Sequence, residues 1–205
     1  MILYVETHWI LSCVQAEEQE ATDLLHLRPD HGALSVYLPA FCIAEAIARF
    51  RTIERSANEF RDQQLKKRRH DVRSIQHGEA KRLIAALENV IEEQDRLIGV
   101  LSYEFDHFIE AIFASDVALI PEDHDAVKRA HGYVRSLDMS RGDAIVLGTI
   151  IEHAARQSEP RKAFVSGNSK DFGPRTAACR ELEREGIRGF SRVSDALGWL
   201  FKGGE

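Results

Sequence analysis

The stretch Ile2-Leu3-Tyr4-Val5-Glu6-Thr7 decides the fold class. Its four apolar residues predict a buried β-strand, and the polar pair after them predicts the start of a helix. Similar strand-like runs recur at 34–38, 163–166 and 187–190. Helical patterns occupy 11–27, the residues from 40 onwards, 123–137, 141–156, 175–184 and 193–201. Strands that alternate with helices predict a parallel sheet covered on both faces, an α/β/α sandwich.

The middle of the chain, residues 40–115, departs from this alternation because it contains no strand-like run. Apolar residues at spacings of three and four from Leu83 to Ile112 predict one long amphipathic helix. A similar stripe runs from Ile43 to Phe60. We therefore expect a mostly helical hairpin at 40–115, inserted into a single domain that spans 1–205, with the stripe forming core or a homodimer seam.

Composition places the chain among ordinary globular proteins. Of its 205 residues, 44% are hydrophobic and 29% are charged, which excludes collagen-like and disordered classes. No apolar run reaches the length of a membrane span, and residues 1–14 lack the basic leader of a signal peptide. We expect a cytoplasmic protein without a membrane partner. Cys13, Cys42 and Cys179 lie far apart and support neither a disulfide framework nor a zinc site.

Charge is unevenly distributed along the chain. The formal net charge is −6, yet residues 49–82 contain eleven Lys and Arg against five Asp and Glu, a local net charge of +6. The densest basic run is Lys66-Lys67-Arg68-Arg69. A basic segment on an acidic body favours a polyanionic partner, and a solvated helix face is the alternative explanation.

Four acidic residues stand just after strands or near the starts of helices. Glu6 follows the first strand, Glu45 lies early in the next helix, Asp143 opens a later helix and Asp171 follows the third strand. Ligands of parallel α/β sheets bind beyond the carboxyl ends of the strands, so we expect these carboxylates to cluster. Two charges about 4 Å apart repel by roughly 4 kcal/mol at an effective dielectric of 20. A hard cation relieves this repulsion, and oxygen ligands select Mg²⁺ or Mn²⁺.

Helix capping is an alternative explanation for two of these acids. Ser140-Arg141-Gly142-Asp143 is a capping box, and Asp171 precedes Pro174 in a first helical turn. Glu6 and Glu45 are harder to explain in this way, because each interrupts an apolar stretch where a charge is costly.

The order and context of these acids resemble a known family, the PIN-domain ribonucleases, which include the toxins of many bacterial toxin–antitoxin pairs. The resemblance covers residues 1–50 and 117–201. The similar segments are Ile2 to Thr7, Pro39 to Ala46, Gly142 to Ile145 and Phe164 to Phe172.

The resemblance implies a PIN-like fold and a metal-dependent endoribonuclease that hydrolyses RNA phosphodiester bonds with Mg²⁺ or Mn²⁺. RNA phosphates would contact the basic run Lys66-Lys67-Arg68-Arg69. A toxin would also bind an antitoxin or another protein. The implied catalytic and metal-binding acids are Glu6, Glu45, Asp143 and Asp171, with Thr7 and Asn168 as supporting polar groups.

Two features depart from the family pattern. The first acid is usually Asp followed by Thr or Ser and then Asn, whereas this chain has Glu6-Thr7-His8, and Glu is longer by one carbon–carbon bond of about 1.5 Å. The helical hairpin also makes the chain longer than compact toxins. Two alternatives therefore stay open: a catalytically degenerate PIN-like module that binds RNA or protein, and a Mg²⁺-dependent phosphohydrolase of small molecules.

Overall fold

The computed structural model describes residues 1–17, 19–26, 34–71 and 78–202, without the side chains of 67–71, 78–80 and 202. The strands are β1 (Ile2–Tyr4), β2 (Ser35–Pro39), β3 (Ala118–Ile120), β4 (Lys162–Val165) and β5 (Ile187–Phe190). The helices are α1 (Thr7–Val14), α2 (Gln19–Asp23), α3 (Ala40–Asp71), α4 (Gly78–Ala114), α5 (His124–Ser136), α6 (Arg141–Ala155), α7 (Ser169–Phe172), α8 (Ala177–Arg184) and α9 (Val193–Lys202). A 3-10 turn, Leu24–His26, follows α2.

The five strands form one sheet in the order β3-β2-β1-β4-β5, and every pairing is parallel. The central strand is β1, where Leu3 lies between Val36 on β2 and Ala163 on β4. All three residues of β1 are at most 1% exposed. A continuous apolar strand covered on both faces is typical of a parallel sheet between helices. The predicted α/β class with a parallel sheet is therefore confirmed.

The strand order reverses at β1, since β2 and β3 lie on one side of it and β4 and β5 on the other. The segments that leave β1 and β4 consequently turn away from each other. Open parallel sheets bind ligands in the crevice at such a reversal, beyond the carboxyl ends of the strands. Glu6 and Ser166 are the residues near these two strand ends.

Two elements of the sheet region, β3 and α1, differ from the sequence-based expectation. Strand β3 was not predicted, although Val117-Ala118-Leu119-Ile120 is a short apolar run that ends at Pro121. In the structure it is an edge strand of three residues, and the first two are exposed. The prediction of a single helix at 11–27 is wrong, because this segment contains the end of α1, the helix α2 and a 3-10 turn. Helix α1 begins at Thr7, and the chain leaves helical geometry at Ala16, whose φ is +53°.

The chain divides into two compact units, one made of Met1–Ala46 with His107–Glu205 and the other of Ile47–Asp106. The first unit contains the sheet, and the second contains most of α3 and α4. In the second unit the Phe50 and Phe105 rings stack with centroids 4.5 Å apart, and Ser102 donates a hydrogen bond to Glu54. Phe50 on α3 contacts Phe105 on α4, and Glu54, further along α3, contacts the earlier residue Ser102 on α4. The two helices are therefore antiparallel. The single-domain organisation with an insertion at 40–115 stays a prediction.

The apolar stripe predicted on α4 is only partly buried. Ile91 and Phe105 are buried, whereas Leu83, Val90 and Leu97 are 54%, 50% and 57% exposed. Adjacent helix positions differ by about 100°, so the exposed row lies beside the buried row and not within it. Among the described helices, none combines the length and the apolar composition that a membrane-spanning segment requires.

Helices α5 and α6 approach each other closely at Gly148, which gives a test of the packing. A Cβ at position 148 would lie 2.6 Å from the carbonyl oxygen of Ala126 and 3.2 Å from the backbone nitrogen of Ala130. Because backbone atoms would have to move, we expect Gly148→Ala to lower the free energy of unfolding by about 1–3 kcal/mol.

The matched control is Gly132→Ala on α5. No described atom lies within 4 Å of a Cβ built at position 132, so this change should be neutral or stabilising by up to about 1 kcal/mol. Urea unfolding of both variants measures the difference. Equal effects of the two substitutions would contradict close packing at Gly148.

Candidate functional site

Glu6 follows β1 and caps the N-terminus of α1. Its Oε2 accepts a hydrogen bond from the backbone N–H of His8 at 2.8 Å, and the residue is only 7% exposed. In the described part of the chain, no group forms a hydrogen bond of normal geometry with the buried Oε1. Burial raises the pKa of Glu6 and the charge of Glu45 adds to the rise, while the His8 N–H and the nearby Ser166 hydroxyl oppose it.

Glu45 lies on α3 next to Thr7. The Thr7 hydroxyl donates a hydrogen bond to Oε2 of Glu45 at 2.5 Å, and Thr7 itself is fully buried. The start of α3 is held by Glu122, whose Oε1 accepts from the backbone N–H of Phe41 at 2.6 Å. A Cβ at Gly142 would lie 3.4 Å from Oε1 of Glu45. The first turn of α6 therefore passes close to the Glu45 carboxylate.

Asn168 joins Asp143 to Asp171. Its Nδ2 donates to Oδ1 of Asp143 at 3.1 Å and to Oδ2 of Asp171 at 2.9 Å, and its Oδ1 accepts from the backbone N–H of Asp171 at 3.2 Å. Ser140 Oγ donates to Oδ2 of Asp143 at 2.6 Å and accepts from its backbone N–H at 3.1 Å. The capping geometry at α6 and α7 is therefore present, and the same two aspartates also share one amide.

The structure thus arranges the predicted site residues in two acidic groups. The first group consists of Glu6, Thr7 and Glu45, and the second consists of Asp143, Asn168 and Asp171. Gly142, which precedes Asp143, lies against Glu45 and connects the groups. Among the described residues, no three His, Cys, Asp or Glu side chains are already arranged to hold a metal ion. The catalytic and metal-binding roles of these acids stay predictions.

The predicted RNA-binding run is described only at its first residue. Lys66 is exposed on α3. The side chains of Lys67, Arg68 and Arg69 lie outside the described residues, so their role also stays a prediction.

Three residues that sequence reasoning did not single out shape the site. Ser166 is 6% exposed and lies near Glu6. Gly167 provides clearance, because a Cβ at this position would collide with the His8 ring. A Ser-Gly-Asn sequence directly after a strand is a signal that could have found both. Glu122 is 81 positions from its partner Phe41, and no local pattern reveals that contact.

A family model described as the PIN domain matches residues 3–172. The chain belongs to the PIN-domain family. The predicted resemblance and the PIN-type α/β/α fold are therefore confirmed.

Three chains of solved structures match this chain. One of them belongs to a crystal structure of VapBC2 from Rickettsia felis bound to a DNA fragment from their promoter. The sequences are 11% identical, and the TM-score is 0.46 over 93% of this chain and 100% of that chain. No curated protein matches the chain.

The donor set of this PIN domain fits the hard divalent cation that its family implies. The two acidic groups offer carboxylate oxygens, which Mg²⁺ and Mn²⁺ prefer. The buried Oε1 of Glu6 is an acceptor that a cation would satisfy. Cys42 lies near Glu6 and Glu45, but burial raises the pKa of its thiol, so it stays neutral and does not add a thiolate.

The burial of Glu6 gives a prediction about the free energy of unfolding. Because the pKa of Glu6 is raised in the folded state, its ionised form is less stable there than in the unfolded chain. We expect Glu6→Gln to be more stable than the parent at neutral pH without divalent ions. The gain should vanish as the pH falls below about 4, where Glu6 is protonated in both states.

Thermal unfolding from about pH 3 to about pH 8 measures this difference. The control is Glu104→Gln, which removes an exposed carboxylate from α4 and should give no comparable gain. Identical pH profiles for the parent and Glu6→Gln would show that burial of this carboxylate costs no free energy.

Proposed function

We propose that the protein is a metal-dependent endoribonuclease that hydrolyses RNA phosphodiester bonds. The observation that supports it is the pair of acidic groups beyond the carboxyl ends of β1, β2 and β4 in a PIN domain. Hydrogen bonds from Thr7 and Asn168 hold three of the four carboxylates, and Gly142 lets the groups approach. Acids kept together at a ligand-binding edge favour a cation-assisted reaction over a purely structural role.

Mg²⁺ or Mn²⁺ would be held by Glu6, Glu45, Asp143 and Asp171. When bound, such an ion supplies an activated water as nucleophile and neutralises the charge that develops on the phosphate. This proposal requires no covalent intermediate on the protein.

The surrounding polar residues orient the acids. Thr7 donates to one oxygen of Glu45 and leaves the other oxygen directed toward Gly142. Asn168 sets the spacing of Asp143 and Asp171 with a neutral amide. Ser140 fixes the second oxygen of Asp143. Such positioning contacts hold ligands in the geometry that the chemistry needs, and their loss usually costs activity as well.

The role of Asp143 can be tested by removing its charge. Asp143→Asn should lower Mn²⁺-dependent RNA cleavage by about a hundredfold or more, because one carboxylate is lost while the amide oxygen can still accept from Ser140. Initial rates on a labelled single-stranded RNA, with Mn²⁺ and with a chelator, measure the effect.

Asp116→Asn, an exposed change outside the acidic groups, is the control and should leave the rate unchanged. If Asp143→Asn unfolds the protein while its folded fraction keeps full activity, then helix capping alone explains Asp143.

The basic run Lys66-Lys67-Arg68-Arg69 is proposed to bind RNA phosphates. It is the densest part of a segment with a net charge of +6 in an acidic chain, and Lys66 is exposed. Reversing all four residues to Glu should weaken RNA binding at low salt. Each lost phosphate contact should reduce the slope of log affinity against log salt by about 0.7.

Binding titrations at several salt concentrations measure that slope. Reversal of Lys128 and Arg135, two exposed cations on α5, is the control for a nonspecific change of net charge. Turnover of a saturating short substrate should change little, because the acidic groups are untouched. An unchanged slope in the four-residue variant would identify the run as a solvated helix face.

A non-cleaving RNA-binding module is the second candidate, favoured by Glu6 in place of the usual Asp. RNA binding that survives without cleavage, in the presence of either Mg²⁺ or Mn²⁺, would support this second candidate.

Two kinds of protein partner are also proposed. A toxin role in the cytoplasm with an antitoxin partner is proposed from the family resemblance alone. A homodimer is proposed from the exposed row Leu83, Val90 and Leu97 on α4.

A further inference from the structure

A cavity of about 390 Å³ lies beside β5 and extends to the residues that follow β4 and β5, near the edge of the sheet where the acidic groups lie. This volume falls within the range of roughly 300–1,000 Å³ that is typical of small-molecule sites. Its wall includes two aromatic rings, three charged side chains and three serine hydroxyls. The proposed nuclease function uses none of the charged groups in this wall.

Ser166 and the loop after it connect the cavity to the acidic groups. Ser166 and Ser169 both line the cavity, and Ser166 Oγ accepts from the backbone N–H of Asn168 at 3.1 Å. Between these serines, the Asn168 side chain reaches Asp143 and Asp171. A ligand in the cavity would therefore lie next to the loop that holds the second acidic group.

Arg188 is an exposed cation in the wall of the cavity, and one of its two aromatic contacts, Trp199, lies outside that wall. Its guanidinium carbon lies 5.6 Å from the ring centroid of Phe190 and 5.5 Å from that of Trp199. Contacts of this kind hold the guanidinium plane against aromatic faces. Within the described part of the chain, Arg188 forms no ion pair with an acid, so its donors are available to a ligand.

The remaining charges of the wall argue against a phosphate and for a neutral planar ligand. Glu183 and Asp195 also line the cavity, so two acids accompany one arginine. A phosphate would be repelled by the acids, whereas a group with both donors and acceptors can pair with both signs of charge. Phe190 is half-buried and adds aromatic surface against which a flat ring can pack, and the buried Phe172 adds apolar wall.

We propose that this cavity, the base pocket, binds one unstacked nucleobase of the RNA, with guanine preferred. Arginine donors pair with O6 and N7 of guanine, and the N1 and N2 hydrogens of the same base can reach a carboxylate. The proposal rests on the proposed nuclease function for its substrate class. Binding of a base in this pocket would give the nuclease a sequence preference at the nucleotide beside the cleaved bond.

The test uses guanosine, which carries the base without a phosphate, and the full chain in buffer without divalent ions. Calorimetric titration should show binding to the parent and about tenfold or more weaker binding to Arg188→Ala. The matched control is Arg184→Ala, which removes an exposed arginine on α8 that pairs with Glu181. This control should bind guanosine as the parent does.

A second variant fills the part of the base pocket next to Cys179 without removing charge. A Cβ at Gly189 would lie 3.9 Å from the sulfur of Cys179, which also lines the cavity, and a β-branched residue suits a strand. Gly189→Val should therefore fold and also lose guanosine binding. Circular dichroism and thermal unfolding verify the fold of each variant.

Three results would overturn the base pocket. The first is equal guanosine affinity in the parent, Arg188→Ala and Gly189→Val. The second is binding of adenosine, cytidine or uridine at least as tightly as guanosine. The third is displacement of guanosine by inorganic phosphate. The last result would identify an anion site instead.

Cleavage assays with Mn²⁺ separate this proposal from the nuclease proposal. If the parent cleaves RNA but both pocket variants cleave at the same positions and bind guanosine equally well, the nuclease function stands and the base pocket is wrong. If guanosine binding depends on Arg188 but no RNA is cleaved, the base pocket stands and the nuclease function is wrong.

Discussion

A buried carboxylate at the end of the central strand is the constraint around which this site is organised. Strand β1 pairs on both sides, so the residue that leaves it, Glu6, emerges into the interior and not into solvent. Burying a charge costs free energy unless donors or a counter-ion compensate it. The protein supplies the His8 N–H and the nearby Ser166 hydroxyl, and one carboxylate oxygen still lacks an ordinary hydrogen bond within the described part of the chain. Hydroxyl and amide donors likewise stabilise the negative charge of the other three acids.

The sequence predicted those parts of the fold that depend on local patterns. Apolar runs identified four of the five strands, and acids placed after strands identified the members of both acidic groups. The contacts between the groups were not predictable in this way. The Glu122 contact with Phe41 joins residues far apart in sequence, and the role of Gly142 depends on where α3 and α6 meet. Strand β3 was missed although residues 117–120 are apolar, and it is an edge strand with two of its three residues exposed, unlike the fully buried β1.

Helix α4 shows why periodicity alone did not identify its buried face. Spacings of three and four fit two neighbouring rows of a helix equally well, and α4 carries apolar residues in both. Phe105 stacks on Phe50 and so belongs to the buried row. Val90 and Leu97 make the neighbouring row, and only the structure shows that this row is exposed. The spacing of apolar residues therefore identifies an amphipathic helix but does not identify which of two neighbouring apolar rows is buried.

The amide of Asn168 has a consequence for which sequences this position can accept. Both hydrogens of Nδ2 are used by carboxylates, one on Asp143 and one on Asp171. An aspartate has nearly the same shape, yet it would replace the donor that the two acids share with a third acceptor. At position 168 the direction of hydrogen bonding therefore matters more than the size of the side chain, and Asn168→Asp would disrupt the site although it conserves volume.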